Sequence, residues 1–235
     1  MAAAFVQHLG ESEYSASAST TTALSISKTV TAGNFIAVGI CYYGALGSNE
    51  TATDNLGNTY TFREHAGNGT TTNTAILTAP VTVGGTLTTI TVTHSSRQYR
   101  TVMAAEFSGV GAFSVAGAGT SGSGTTSTWV NSKTIPANGI AIGFVGSNTG
   151  DVMSAGSASG SPSTSITRDT HYPSPGSAAM SMGDFYAIAG GSDVTSFSGT
   201  ATHASIAWSS AGVVFSPAAA TAMRDPMGMS GFFGA

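Results

Sequence analysis

Alternation of apolar and polar residues predicts β-strands along most of this chain. In the segment 86–94 (TLTTITVTH), Ile90 and Val92 fall on one side and threonines on the other, which is typical of a half-buried strand. The segment 35–43 (FIAVGICYY) is almost entirely apolar, as expected for a central strand. The segment 99–107 is a third, mixed strand, and no segment has the period of a three-turn amphipathic helix.

Turn signals separate these strands at short intervals. Asn-Gly, Gly-Gly and Asp/Asn-rich turns recur at 33–34, 54–58, 84–85, 138–139 and 190–191. Strands spaced by 8–12 residues are typical of a sandwich or jelly roll. The residues expected in its core are Val38, Ile90, Val92, Phe107, Ile142, Ile206 and Phe215.

An internal duplication organises the chain. Six blocks return in the same order about 105 residues later: 27–30 as 132–135, 36–40 as 140–144, Arg63 as Arg168, 84–85 as 190–191, His94 as His203, and 107–108 as 215–216. The offset drifts from 104 to 109 residues along the chain. The sequence therefore predicts an all-β, jelly-roll-like antiparallel β-sandwich made of two pseudo-repeated halves.

The duplication sets the predicted boundaries. These are an N-terminal segment (1–16), a first repeat (17–110), a Gly/Ser-rich joint (111–124), a second repeat (125–216) and an apolar C-terminal tail (217–235). Two arrangements of the halves fit such a duplication. In one, each half closes its own small sandwich; in the other, the two halves share one core. Since the joint contains Phe113 and Val115, we favour the shared core over a solvated tether.

The amino-acid composition restricts the classes of partner that this protein is expected to bind. Charged residues make up 8% of the chain, against roughly 25% in a typical soluble domain, while 11 Phe, 7 Tyr and 2 Trp indicate a folded chain. Seven Lys and Arg and a net charge of −4 argue against nucleic acid as a partner. Such a surface is covered by neighbouring subunits, as in a homo-oligomer, or is solvated by Ser and Thr.

The chain carries no predicted membrane span or secretory signal. No segment reaches the ~20 apolar residues that a bilayer requires, and residues 1–8 lack a basic region followed by an apolar one. The single cysteine, Cys41, is expected to be a small buried hydrophobe. The composition thus resembles that of an extracellular protein, although no export signal accompanies it.

Candidate catalytic and metal-binding groups are better explained by the repeat. Glu64 and Asp169 follow the repeated arginines, so we favour edge-strand pairs over the two carboxylates of a glycosidase. The histidines also repeat (65 with 171, 94 with 203), without the spacing of a metal site. Asp54 begins an Asx-Gly turn, which we favour over a calcium loop. We therefore predict no enzyme activity, no cofactor and no metal.

Two features indicate binding instead. Tyr172 lies among turn residues and is the best candidate for an exposed aromatic that contacts a glycan. The C-terminal tail contains long apolar side chains that would dock on a partner protein: Met223, Met227, Met229, Phe232 and Phe233. A floppy terminus is the alternative.

Three runs carry a resemblance to a protein class. The segments 53–61, 84–93 and 102–110, within residues 20–216, resemble a pattern found in jelly-roll β-sandwich proteins of tailed phages and bacterial surfaces. The resemblance implies a virion structural role, such as capsid decoration, head fibre or tail component. Assembly in the host cytoplasm would explain the missing export signal. The alternative function is a carbohydrate-binding module or adhesin.

Overall fold

The computed structural model describes residues 1–12, 17–44, 50–69, 71–117, 119–131, 133–148, 154–161, 166–169 and 180–219. Every regular element within these ranges is a β-strand, so the predicted all-β class is confirmed. The strands are β1 (Ala4–Glu11), β2 (Ser19–Val30), β3 (Phe35–Tyr43), β4 (Thr51–Asp54), β5 (Thr61–Asn68), β6 (Thr72–Pro80), β7 (Gly85–Ser108), β8 (Val110–Ala116), β9 (Thr120–Asn131), β10 (Ile140–Ser147), β11 (Ser154–Ser161), β12 (Ile166–Asp169), β13 (Ser181–Ile188) and β14 (Ser196–Pro217).

The two halves repeat one antiparallel topology. In the first half the order is β1-β7-β3-β6-β5, and β2 and β4 also pair with β7. In the second half β14 takes the place of β7: it pairs with β8, β9, β10 and β11, and β10-β13-β12 continue the sheet. Each strand of the first half thus corresponds to the strand seven places later. The blocks 36–40 and 140–144 lie on the corresponding strands β3 and β10.

The long strand of the first half belongs to two layers. Residues 85–93 of β7 pair with β2 and β4 and form a small sheet, while residues 98–108 pair with β3 and β1 in the main sheet. The sequence signals at 86–94 and 99–107 are therefore one bent strand of 24 residues.

Three main cores hold the layers together. One lies between the small and main sheets of the first half, and another lies within the second half. The third combines residues of both halves, including Phe107, Phe144 and Phe215, so the halves share a core as well as having their own. Six residues of the expected core are buried, while the side chain of Ile206 lies outside the described residues.

The turns before β3 and β10 fix the alignment of the halves. The backbone N–H of Asn34 donates to the Thr31 carbonyl, and the N–H of Gly139 donates in the same way to the Pro136 carbonyl. Positive φ angles of 87° and 60° occur at Gly33 and Asn138. Phe35 therefore corresponds to Ile140, an offset of 105 residues, and the offset of 104 used to align 36–40 with 140–144 is wrong by one position. A shift of one residue in a strand exchanges its two faces.

With the corrected alignment, large residues of one half meet small residues of the other. A β-carbon at Gly39 would lie 2.3 Å from Cγ of Phe144 and 2.4 Å from Cε of Met182, so the Phe144 ring fills the space above this glycine. In the same core, Cys41 occupies the space above Gly146. Burial raises the pKa of the Cys41 thiol to about 12, and the prediction of a small buried hydrophobe is confirmed.

The segments outside the predicted repeats also carry strands. Residues 1–16 include β1, which pairs with β7. The predicted joint, 111–124, carries most of β8 and the beginning of β9, both of which pair with β14. β14 offers backbone N–H and C=O groups to both segments, and the resulting hydrogen bonds outweigh the weak strand propensity of Gly and Ser.

Candidate functional site

Polar and aromatic side chains concentrate where β7 passes between its two layers, a segment (94–100) that we call the β7 bend. His94 is buried at its start, and its Nε2 lies 2.9 Å from Oγ1 of Thr22. Arg100 is buried at its end and donates from Nε to the same hydroxyl at 2.7 Å. A second donor of Arg100, Nη1, contacts the carbonyl oxygens of Ser17 at 2.5 Å and Arg97 at 2.9 Å. One threonine hydroxyl thus joins an imidazole and a guanidinium.

Burial is the main reason that the pKa of His94 lies below its ordinary value, and the nearby Arg100 charge acts in the same direction. The backbone carbonyl of Ser95, 2.7 Å from Nδ1, partly opposes this shift. The neutral imidazole is therefore the form that suits the folded protein.

Acidification should destabilise the protein through His94. Its pKa is lower in the folded state, so the unfolded chain binds the extra proton first, and stability is lost as the pH falls below about 6.5. We expect the free energy of unfolding to fall by up to about 1.4 kcal/mol per pH unit just below that value. In His94→Gln the pH dependence measured by urea denaturation between pH 5 and 7 should be smaller, with His65→Gln, on the exposed part of β5, as the control. An unchanged pH profile in His94→Gln would contradict this role.

A buried carboxylate lies next to the bend. Glu50 is 2% exposed, and its Oε1 accepts a hydrogen bond of 2.9 Å from the Tyr42 hydroxyl. The Arg97 guanidinium carbon lies 5.3 Å from the centre of the Tyr42 ring, in cation–π contact. Oε2 of Glu50 and Nε of Arg97 are buried, and neither has a hydrogen-bond partner among the described residues.

Tyr99 is a bulged residue within the bend. Arg100 lies opposite Tyr42 and Gln98 lies opposite Tyr43, which leaves Tyr99 as the extra residue of a β-bulge. Its φ of 51° lies in the left-handed region, which costs a bulky residue about 1–2 kcal/mol. The bulge places the Tyr99 ring edge-on to the Tyr43 ring, with centroids 5.9 Å apart and planes at 86°.

A groove of about 430 Å³ opens beside the bend, between the ends of β1 and β2. Its lining residues are Ala23 and six residues with polar side chains: Glu11, Ser12, Thr21, Thr22, Ser25 and Arg100. Because Arg100 is held by Thr22 and backbone carbonyls, its guanidinium is part of the groove wall and is fixed in position.

Glu106 forms a second buried polar cluster, away from the bend. Its carboxylate is completely buried and accepts hydrogen bonds from Nε2 of Gln7 (2.6 Å), the backbone N–H of Thr31 (2.9 Å) and Nδ2 of Asn34 (2.7 Å). Three donors from two segments thus converge on one carboxylate, which ties β1 and the turn before β3 to β7.

The Asp54 loop is an Asx turn, as favoured from the sequence. Oδ1 accepts the backbone N–H groups of Leu56 and Asn58 at 2.9 and 3.1 Å, and Oδ2 accepts the Asn58 amide and the Tyr60 hydroxyl at 2.8 and 2.9 Å. These four donors occupy the carboxylate oxygens that a calcium ion would need. Burial and the adjacent Asp54 raise the pKa of Tyr60, so its hydroxyl remains a donor.

The repeated Arg-acid pairs lie on β5 and β12, the strands at one edge of each main sheet. Nε of Arg63 donates to Oγ1 of Thr78 at 2.8 Å, and its guanidinium lies 4.7 Å from the ring centre of Phe113 in the second half. Glu64 accepts the N–H of His65 at 2.9 Å. The side chains of Arg168 and Asp169 lie outside the described residues.

The binding residues chosen from the sequence are not among those the structure describes. Tyr172 and the tail residues Met223, Met227, Met229, Phe232 and Phe233 all lie outside the described ranges. The β7 bend was not predicted as a site. One signal in the sequence marks it, because the offset between the halves is 109 residues at His94 and 108 residues at Phe107, which reveals the extra residue.

Comparison with protein-family models, curated proteins and solved structures finds no match for this chain. Among the described residues, no three His, Cys, Asp or Glu side chains come together in a way that could hold a metal ion. The same part of the chain contains no helix that could cross a membrane.

Proposed function

We propose that the protein is a non-enzymatic structural component of a virus particle, assembled in the host cytoplasm and attached to capsid or tail subunits through residues 217–235. The observation that carries this proposal is the fixed origin of the tail. The backbone N–H of Ala218 donates to the Gly109 carbonyl at 2.7 Å, and the ammonium group of Met1 donates to the Ala218 carbonyl at 2.8 Å. The tail therefore starts from a point held by both the N-terminus and the boundary between the halves.

The body of the protein supports an attachment role. Most of its large apolar side chains are in the three cores, and the exposed ones are scattered: Met1, Val6, Tyr43, Val83 and Phe113. The tail sequence, in contrast, concentrates two Phe and three Met within thirteen residues. Burying one such side chain contributes about 1.5–3 kcal/mol, so several together would offset the cost of ordering the segment in a preformed groove.

The chemistry of the described carboxylates also favours a structural role. Asp54 and Glu106 accept hydrogen bonds that hold a turn and a strand junction, and Glu50 holds the Tyr42 hydroxyl. General acid–base catalysis needs a carboxyl group within reach of a substrate. Glu50 and Glu106 are instead enclosed in the protein.

Deleting residues 223–235 should reduce the occupancy of the protein on particles assembled in cells that produce the rest of its virus. The body remains intact in this variant, because all described strands end before residue 218. Occupancy is measured by quantitative gel analysis of purified particles, and Phe232→Ser/Phe233→Ser should reproduce the loss. Val83→Ser, which removes an apolar side chain 57% exposed on the body, is the matched control. Unchanged occupancy after the deletion would refute attachment through the tail.

A carbohydrate-binding role is the second candidate, and one observation favours it. Tyr43 is 39% exposed and is paired with Tyr99 at the β7 bend. The exposed Tyr43 ring, backed by the partly buried Tyr99 ring, offers an apolar face with polar edges, which is suited to a sugar ring.

A further inference from the structure

The second half of the molecule shows what the fold requires at the β7 bend. β14 pairs with β10 without a break in register, Trp208 lying opposite Ser147, and the N–H of Asn148 donates to the Ala207 carbonyl at 3.0 Å. Against β10, the corresponding strand thus has no extra residue like Tyr99, although it has a register shift of its own against β9, between Thr202 and Ile206. The extra residue in β7 is therefore not needed for the long strand to pair with the neighbouring strand of its main sheet.

The bulge instead accompanies a change of side chains. Asn148 stands at the position of Tyr43, Ala207 at that of Gln98, and Tyr99 has no counterpart in the second half. A strained residue that the fold does not need is most often found where a side chain must be aimed for function. Here the strained residue is aromatic, and its partly buried ring meets the exposed ring of Tyr43.

Donors surround this pair of rings. The Arg97 side chain lies beside Gly44, with Cδ 3.5 Å from where a β-carbon would be at that glycine. Among the described residues, its Nη1 and Nη2 make long contacts of 3.3 Å, to the Ser96 carbonyl and the Ser95 hydroxyl. The side chains of Ser95, Ser96 and Gln98 are exposed along the same segment. An aromatic corner is thus bordered by guanidinium, hydroxyl and amide groups.

From this geometry we infer that the Tyr43–Tyr99 corner is a glycan-binding site. A pyranose ring presents C–H groups that pack against an aromatic face, and its hydroxyl groups pair with donors and acceptors at the rim. Arg97 and Gln98 supply such groups on one side of the corner. The site rests on residues separate from the tail, so it does not depend on the proposed attachment.

Other ligand classes fit this surface less well. A nucleic acid needs several cations along its backbone, whereas the described bend supplies Arg97 and the buried Arg100. A protein partner needs roughly 800 Å² on each side, and the exposed apolar residues of the described body are scattered. Two rings with polar neighbours match the size of one or two sugar units.

The test uses the full chain on an array of bacterial and mammalian glycans, followed by titration calorimetry with the best-binding oligosaccharide. Tyr99→Gly keeps the backbone conformation, because glycine adopts positive φ without strain, but it removes the ring. We expect this variant and Tyr43→Ala to bind at least tenfold more weakly. Because the Tyr99 ring also packs against the shared core, the melting temperature of each variant is measured alongside to show that it is folded. Val83→Ser, in the turn between β6 and β7, should bind normally.

Three results would overturn the assignment. These are no glycan bound by the full chain, glycan binding retained in Tyr99→Gly, and binding lost in Tyr172→Ala but unaffected by the substitutions at Tyr43 and Tyr99. Deletion of residues 223–235 should leave glycan binding unchanged. Failure of the tail prediction and failure of the glycan site are therefore distinguishable.

Discussion

Replacing Glu106 by alanine should lower the free energy of unfolding by about 4–6 kcal/mol, because hydrogen bonds to a charged group contribute about 1.5–3 kcal/mol each. The substitution removes the acceptor of three partly buried hydrogen bonds, from the amide groups of Gln7 and Asn34 and the N–H of Thr31, and only the Gln7 amide keeps another described acceptor, the Thr29 carbonyl. Urea denaturation followed by tryptophan fluorescence measures the loss.

The second half provides a matched control for this prediction. The corresponding strand junction of the second half has no polar side chains at these positions. Gln7, Glu106 and Asn34 are replaced there by Val115, Val214 and Gly139. The triple variant Gln7→Val/Glu106→Val/Asn34→Gly should be more stable than Glu106→Ala, since removing both side-chain donors together with the acceptor leaves fewer unsatisfied groups. If Glu106→Ala costs less than about 1 kcal/mol by that scale, the cluster does not hold the junction.

Replacing Phe144 by alanine should cost about 3–5 kcal/mol, the usual range for removing a buried aromatic side chain. Its ring fills the space above Gly39, between the two main sheets. The converse change, Gly39→Ala, should cost about 1–3 kcal/mol through overpacking. In the double variant, alanine at position 144 leaves room for the methyl group added at position 39. The free energy of unfolding should therefore fall by less than the sum of the two single losses.

Gly190→Ala is the control for the glycine substitution, because a β-carbon there would meet no atom within 4 Å. Its stability, measured by urea denaturation, should equal that of the unmodified protein. Strict additivity of Gly39→Ala and Phe144→Ala would show that the two positions do not share one packing site.

The fold was predictable because its signals are local. Apolar runs such as 35–43 and the alternation at 86–94 place strands and faces, and the duplication indicates the shared topology. The register could not be obtained in this way. Ile36–Ile40 and Ile140–Phe144 resemble one another in sequence, yet the core between the halves requires complementary sizes, which places Phe144 opposite Gly39 and moves the alignment by one residue.

The β7 bend was harder to predict for a physical reason. No recognisable sequence motif contains Tyr43, Arg97 and Tyr99. They come together because β3 pairs with β7 and because β7 has a bulge there. A single extra residue in a drifting offset is visible in the sequence. This extra residue indicates a site only once it is known which residues of β3 and β7 lie opposite one another.

The position of β7 at the end of its half has a consequence during synthesis on the ribosome. Within the described residues, β1, β2 and β4 have no strand partner other than β7, so their edges stay open until residues 85–108 have emerged. At 5–20 residues per second this takes on the order of 5–20 s. Open strand edges promote association between chains, so the nascent first half is a natural client for chaperones, and slower translation lengthens its exposure.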